Sequence, residues 1–456
     1  MGDSSGAGTA AEAQPHLRRA IGPKLLLFFV IGDILGTGIY ALTGSVAAEI
    51  GGALWLPFLL AFVVAFLTAF SYLELVGKYP RAAGAALYTH KAFGIEFLTF
   101  MVTFAVMASG VTSAATAAKA FAETYLQEFV VLPTWLVAAA FVVGLGLVNF
   151  RGVGESVKAN VLLTIVELSG LVIIIAVGVY AVSAGAGEPG RLTEIDAGDG
   201  TAFLAVTAAT SLAFFAMVGF EDSVNMAEEC RDPVRIFPRA MLTGMGVAAA
   251  IYVVVAVLSS LLVPAGELAA AESDALFRVL EAGAPGFPLV VFAAIGLLAV
   301  VNSALINMLM ASRLLYGMAN ERVLPRVLGR VHAGRRTPWV AIVFTSVIAY
   351  VLVTTADISL LGGTTALLLL AVFTIVNVAV IVLRRDHVGH RHFRAPSWTP
   401  WLATLLCGFL ATPLAGRPLR QFAVAGILLA VGTVLWAINR AVVGRSRTKR
   451  TPVGKG

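Results

Sequence analysis

Apolar runs long enough to cross a bilayer recur along this 456-residue chain, separated by short polar joints. A helix needs about 20 predominantly apolar residues to cross a hydrocarbon core about 30 Å thick. On that measure the pattern predicts twelve spans, at 24–48, 53–76, 93–124, 133–150, 156–183, 202–228, 238–263, 287–318, 337–355, 359–383, 399–415 and 421–440. They are called spans 1 to 12 below. Alternating ten-residue segments of the kind that build an outer-membrane barrel are absent from the sequence. The predicted fold class is therefore an all-α integral membrane protein.

Two spans break the apolar pattern. Span 1 carries "IGDILGTGIYALTG", with Gly32, Gly36 and Gly38 around the ionisable Asp33. A glycine costs roughly 1 kcal/mol in a helix interior relative to alanine, so the cluster requires a reason. Close packing of small residues four apart, as at Gly32 and Gly36, supplies one; it does not account for Asp33. Span 6 reads "TSLAFFAMVGFEDSVNMAEECRDPVRIFP" and loses its apolar character after Gly219, at Glu221, Asp222 and Asn225.

Five spans separate the two interruptions, so they hold matching places in two successive five-span blocks. Five is odd, and the second block enters the membrane with opposite polarity. Paired interruptions of this kind point to an inverted repeat with a binding site near the bilayer midplane. An unwound stretch frees N–H and C=O groups that lipid cannot satisfy. The restart of span 1 at Gly36, Thr37, Gly38 and Ile39 offers amides and a positive dipole end suited to a carboxylate. Carbonyls around Ile34, Phe215, Ala216 and Val218, beside Gly219, suit an ammonium. The two together describe an α-amino acid.

Charge sets the predicted orientation. With the N-terminus cytoplasmic, 26 Lys and Arg residues fall on the inner side and four, Arg191, Arg278, Arg417 and Arg420, on the outer. The positive-inside rule then places both termini in the cytoplasm of a multi-pass protein of the cell's inner or plasma membrane. The net charge of +6 does not point to nucleic acid, because the basic residues are dispersed among short loops. Hydrophobic residues make up 59% of the chain and charged ones 13%, against about a quarter charged in soluble domains. The polar first twenty residues lack the apolar core of a cleavable signal. Cys230 and Cys407 fit neither a disulfide nor a metal site, and no metal or cofactor is expected.

The residues resemble a known family. "GDILGTGIYALTG", "FFAMVGFEDSVNMAEECRDPVRIFPRA" and "NMLMASRLLYGMANERVLP" are similar to three signature regions of the amino acid–polyamine–organocation superfamily of secondary transporters, and the likeness runs the length of the chain, "NFRGVGESVKANVLLTIVEL" included. The resemblance implies a five-plus-five inverted-repeat fold with discontinuous spans 1 and 6. It divides the chain into a cytoplasmic tail (1–23), a first repeat (24–183), a second repeat (202–383), two accessory spans (399–440) and a basic tail (441–456). By position the substrate carboxylate would meet the amides of Thr37 and Gly38, and its amino group the carbonyls named above. Met107, Phe220 and Asn302 are the side-chain candidates for the pocket. Many proton-coupled relatives carry a lysine where this chain has Glu167, and an apolar or small residue where it has Asp33.

Ionisable residues within spans are functional candidates because they are costly there. For Asp33 two readings stand, a structural carboxyl steadying the unwound backbone or a proton or cation site. Glu167 reads as a coupling residue or as half of a structural pair. Glu221 and Asp222, neighbours about 100° apart on an α-helix, are expected to face different surroundings. Asn302 and Ser303 are read as ion ligands or as interhelical hydrogen-bonding groups. Glu228 and Glu229 are expected to meet Arg231, Arg235 or loop arginines, Asp232 to cap a helix that starts at Pro233, and Lys119 to snorkel outward.

The expected function is secondary active transport of amino acids by alternating access, with protons as the coupling partner and the lipid bilayer as surroundings. A polyamine or organic-cation carrier, an amino acid exchanger and a sensor without transport are the alternatives. An enzyme is not expected, since the six histidines form no catalytic or metal motif. The pattern specifies no oligomeric state.

Overall fold

The computed structural model describes residues 21–81, 84–151, 156–198, 200–321, 323–335 and 337–448, apart from the side chains of 156–159, Glu228 and 442–448. The N-terminal tail through residue 20, Arg322, Arg336, the side chains of Lys158 and Glu228, and the last eight residues of the basic tail lie outside it. Regular structure among the described residues is helical, save one isolated parallel bridge between Ile21 and Cys230.

The α-helices are α1 (Pro23–Ile50), α2 (Trp55–Lys78), α3 (Gly84–Phe93), α4 (Glu96–Ala120), α5 (Thr134–Arg151), α6 (Ser156–Ser183), α7 (Ala202–Ala213), α8 (Pro233–Leu262), α9 (Ala265–Ala271), α10 (Ala275–Gly283), α11 (Leu289–Asn320), α12 (Trp339–Thr355), α13 (Ile358–Leu383), α14 (Thr399–Leu410) and α15 (Leu419–Thr448). Among the described residues, ten segments are long and apolar enough to cross a membrane. Two predicted spans, the ninth and eleventh, are shorter apolar helices, α12 and α14. At 1.5 Å per residue α14 reaches only about 18 Å, because the chain turns at Pro413 into a short 3₁₀ segment, Pro413–Ala415.

Each outer helix buries one face and leaves an apolar stripe outward. Val343, Val347 and Val351 are exposed four apart on α12, and Ile427, Val431, Val434 and Ile438 are exposed three or four apart along α15. That is the surface expected against lipid, where intrahelical bonds already satisfy the backbone. Inside, α1 packs against α6, α7, α8 and α11, while α4 fills the space between α11 and α13.

Several joints differ from the sequence-based expectation. The segment after span 7 folds into α9 and α10, and α9 lies on α1 so closely that a Cβ at Gly44 would fall 2.5 Å from the Leu268 carbonyl oxygen. α15 runs on to Thr448, so the start of the basic tail is helical. Asp232 does hold the N-cap position of α8 with Pro233 in its first turn, but its side chain makes no capping bond. It sits 3.6 Å from Arg235 instead. Glu229 contributes its backbone: Ile21 N–H donates to Glu229 O at 3.0 Å and Arg231 N–H to Ile21 O at 3.1 Å. Lys119 is paired with Glu123 at 3.1 Å rather than left to snorkel.

At the end of the bundle that carries the basic loops, Glu74 on α2 is 3% exposed and accepts from Arg384 Nε and Nη2 at 3.0 and 2.8 Å and from Ala395 N–H at 2.9 Å. Lys78 donates to the Leu383 carbonyl and Tyr79 to the Asp386 carboxylate, so the segment after α13 is clamped onto the end of α2.

Candidate functional site

Both interruptions are visible in the backbone. Within α1, Gly36 leaves the helical region at φ −14° and ψ −148°. Two helical segments meet at this kink, and the second starts at Thr37. α7 ends at Ala213, a 3₁₀ turn covers Phe214–Met217, the chain turns at Gly219, and a second 3₁₀ segment runs Asp222–Glu229.

Two glycines let these segments touch. Gly219 has φ +120°, and a Cβ there would lie 2.7 Å from the backbone C and O of Asp33. A Cβ on Gly38 would lie 2.7 Å from that of Ala216. The two breaks therefore cross at van der Waals contact, and side chains are excluded from the crossing. The close-packing reading of Gly32 and Gly36 also has substance: Gly32 lies against Thr164 of α6 and Gly36 faces Ser303 of α11.

Beside the crossing is a small cleft. Asp33, Ile34, Gly36, Thr37 and Gly38 line it from α1, and Phe215, Val218, Gly219 and Asp222 from the second break. Ser113 of α4 and Ser303 and Asn307 of α11 complete the wall. Thr37 is 1% exposed, and its Oγ1, like Oδ2 of Asp33, has no hydrogen-bond partner. Amides at a helix start, two carboxylates, three hydroxyls and one carboxamide thus converge on a mostly buried space, which suits a small ligand carrying both charges.

The freed carbonyls are partly used. Tyr252 Oη of α8 donates to Ile34 O at 2.6 Å, and Val218 N–H donates to Phe215 O at 3.3 Å. Each oxygen keeps one lone pair for a ligand. Tyr252 escaped the sequence reading; a lone tyrosine inside an apolar span was its only signal. Tyr252→Phe strips the Ile34 carbonyl of its donor at a buried position, a loss of about 1–3 kcal/mol. The expected result is a lower melting temperature together with weaker ligand binding, read by thermal shift with and without ligand.

The candidates divide into three groups. Ile34, Gly36, Thr37, Gly38, Phe215, Val218, Gly219, Asp33, Asp222 and Ser303 line the cleft, and Ala216 lies directly behind Gly38. Ile39 and Met107 are buried and border neither this cleft nor its neighbour. Phe220 turns away, packing its ring on Tyr72 and Phe373 at 5.8 and 5.3 Å. Asn302 accepts from Asn160 of α6 at 3.5 Å rather than reaching the cleft.

Glu221 and Asp222 do not part company as expected of an α-helix. Both border a second small cavity, because the chain here is a turn leading into 3₁₀ structure. Glu221 Oε2 also accepts from Gly219 N–H at 2.9 Å, which fixes the turn.

Glu167 lies on the far side of α1. It is fully buried, and neither carboxylate oxygen has a hydrogen-bond partner. Its backbone carbonyl accepts from Tyr40 Oη at 2.6 Å, and Tyr125 Oη donates to Tyr40 O at 2.8 Å. Thr164 Oγ1, Asn160 Oδ1 and Asn302 Nδ2, on the same two helices α6 and α11, are also buried without partners. Among the described residues, no group of three or more His, Cys, Asp or Glu is placed to hold a metal ion.

Comparison with known proteins agrees with this architecture. The chain is 30% identical over 435 residues to an uncharacterized transporter of Mycobacterium tuberculosis, covering 95% of this chain and 94% of that one. It is 25% identical over 451 residues to a branched-chain amino acid permease of Bacillus subtilis, covering 94% of each. To cationic amino acid transporter 4 of Mus musculus it is 28% identical over 396 residues, 81% of this chain and 60% of that one. The family model described as amino acid permease matches residues 21–440. These relatives are permeases and transporters, not enzymes, and the chain is a multi-pass membrane protein that belongs to the amino acid permease family.

Proposed function

We propose that the chain is a secondary active transporter that carries amino acids across the cell membrane by alternating access, driven by protons. The observation that carries this reading is the contact between two backbone breaks beside a buried cleft, Gly36 on one side and Gly219 on the other. The amides of Thr37 and Gly38 receive the substrate carboxylate, and the carbonyls of Ile34, Phe215, Ala216 and Val218 its ammonium. In this reading residues 24–183 and 202–383 are inverted repeats, 399–440 are accessory, and both termini are cytoplasmic.

Buried carboxyls on either side of α1 are the proton carriers. Among the described residues Glu167 has no ion pair and no hydrogen-bond donor, so its charged form is costly where it sits. Asp33 touches the break itself. Binding of substrate changes what these groups face, and the proton state in turn changes the cost of opening either side.

Reconstitution into proteoliposomes with an imposed inward proton gradient tests this directly. Saturable uptake of at least one amino acid, collapsed by a protonophore, is the expected result; absence of saturable uptake across the whole amino acid set contradicts it. Glu167→Gln keeps the shape and removes the proton. The variant is expected to retain exchange of internal for external substrate while losing acceleration by the gradient.

A further inference from the structure

The cleft at the breaks and the second cavity are neighbours that share part of their wall, and the lining differs in kind. Val218, Asp222 and Asn307 border both spaces. The second space is small and is walled by Val106, Met310, Leu314 and Leu369, with Ser109, Thr365 and Glu221 as its other polar members.

Its polar groups present acceptors. Ser109 spends its hydrogen on the Val106 carbonyl at 2.8 Å, Thr365 on the Leu361 carbonyl at 3.0 Å, and Asn307 one amide hydrogen on Ser303 O at 2.9 Å. With its hydrogen on Leu361 O, Thr365 accepts from Thr112 Oγ1 at 2.6 Å and keeps one lone pair, and Ser109 keeps its acceptor capacity. Glu221 is 6% exposed and receives only the neutral Gly219 N–H. Among the described residues no Lys or Arg borders either space, and none of the ion pairs involves Asp33, Glu221 or Asp222. In the adjoining cleft, Thr37 Oγ1 is buried without a partner. One buried carboxylate, Glu221, and one half-buried, Asp222, among acceptors are complementary to a group that is all donor and positively charged, and an ammonium or a guanidinium is such a group.

We infer that the second cavity receives a basic side chain, so that the substrate is an amino acid ending in an ammonium or guanidinium, with Asp222 and Glu221 as its counter-charges. This rests on the reading above, in which the cleft at the breaks holds the α-carboxylate and α-ammonium. Asp222 borders both spaces and lies where the side chain leaves the cleft. The apolar residues hold the methylene stem. A site built to bond a charged group rejects an analogue that lacks it, because its own polar groups are then left unpaired.

The test is equilibrium binding to the purified full-length protein of lysine, norleucine and cadaverine. Norleucine keeps lysine's carbon stem without the terminal ammonium, and cadaverine keeps the ammonium without the carboxylate. Lysine is expected to bind tighter than norleucine by about tenfold or more. Asp222→Asn is expected to lower the ratio of lysine to norleucine affinity toward one, with gel filtration of the same sample showing that the variant folds. Norleucine binding as tightly as lysine to the wild-type protein overturns the inference, needs no variant, and leaves amino acid transport standing. Cadaverine binding as tightly as lysine, or no amino acid binding at all, overturns the amino acid reading itself.

Discussion

Gly219→Ala loses substrate uptake by about tenfold or more while the protein still elutes as a folded species. Two costs act at this one position. At φ +120° a side chain is held in a region that L-residues rarely adopt, a cost of about 1–3 kcal/mol. The new Cβ would also lie 2.7 Å from the Asp33 backbone C and O, so one break must move away from the other. The crossing is where the ligand groups converge, and a small displacement there misplaces both the amides of α1 and the carbonyls of the second break. Uptake into proteoliposomes beside gel filtration of the same sample checks the prediction; wild-type uptake would show that the contact is dispensable.

Arg384→Ala produces the largest loss of stability. Glu74 is 3% exposed, and removing the guanidinium takes away two of the three donors that it accepts from. Breaking a buried pair from one side costs about 3–5 kcal/mol, because the remaining charge is stranded. The same guanidinium also donates to Ala395 O at 2.8 Å, so the segment after α13 loses its tie to α2. The double variant Arg384→Ala, Glu74→Ala is expected to melt above the single one, since it leaves no buried charge behind. Melting curves of the two variants decide the matter: equal melting temperatures would mean that the pair carries no coupling.

The places where the helical pattern fails were open to reading in the sequence, and the way side chains leave those places was not. Asp33 among glycines and the acidic turn after Gly219 violate an apolar run, and no fold is needed to see that. The second cavity depends on Glu221 and Asp222 facing together, which follows from a turn and 3₁₀ geometry in place of an α-helix. Phe220, chosen for its place beside the break, is drawn off by the rings of Tyr72 and Phe373. Tyr252 reaches Ile34 from a helix 218 residues away in sequence, a relation set by packing alone. α9 and α10 are short helices that pack on other helices, α9 on α1 and α10 mainly on α6.

Glu167 shows the same division. Its presence within an apolar span marked it as a candidate, and the structure adds that both oxygens are bare and that Thr164, one turn earlier, lies against Gly32.

The most direct measurement is a cryo-electron microscopy map of the full chain saturated with a transported amino acid. The account predicts that α1 departs from helical geometry at Gly36, with the ligand's carboxylate within hydrogen-bonding distance of the Thr37 and Gly38 amides and its ammonium facing the second break. A map with α1 coiled without interruption through Gly36, or with the ligand seated away from both segments, would contradict it.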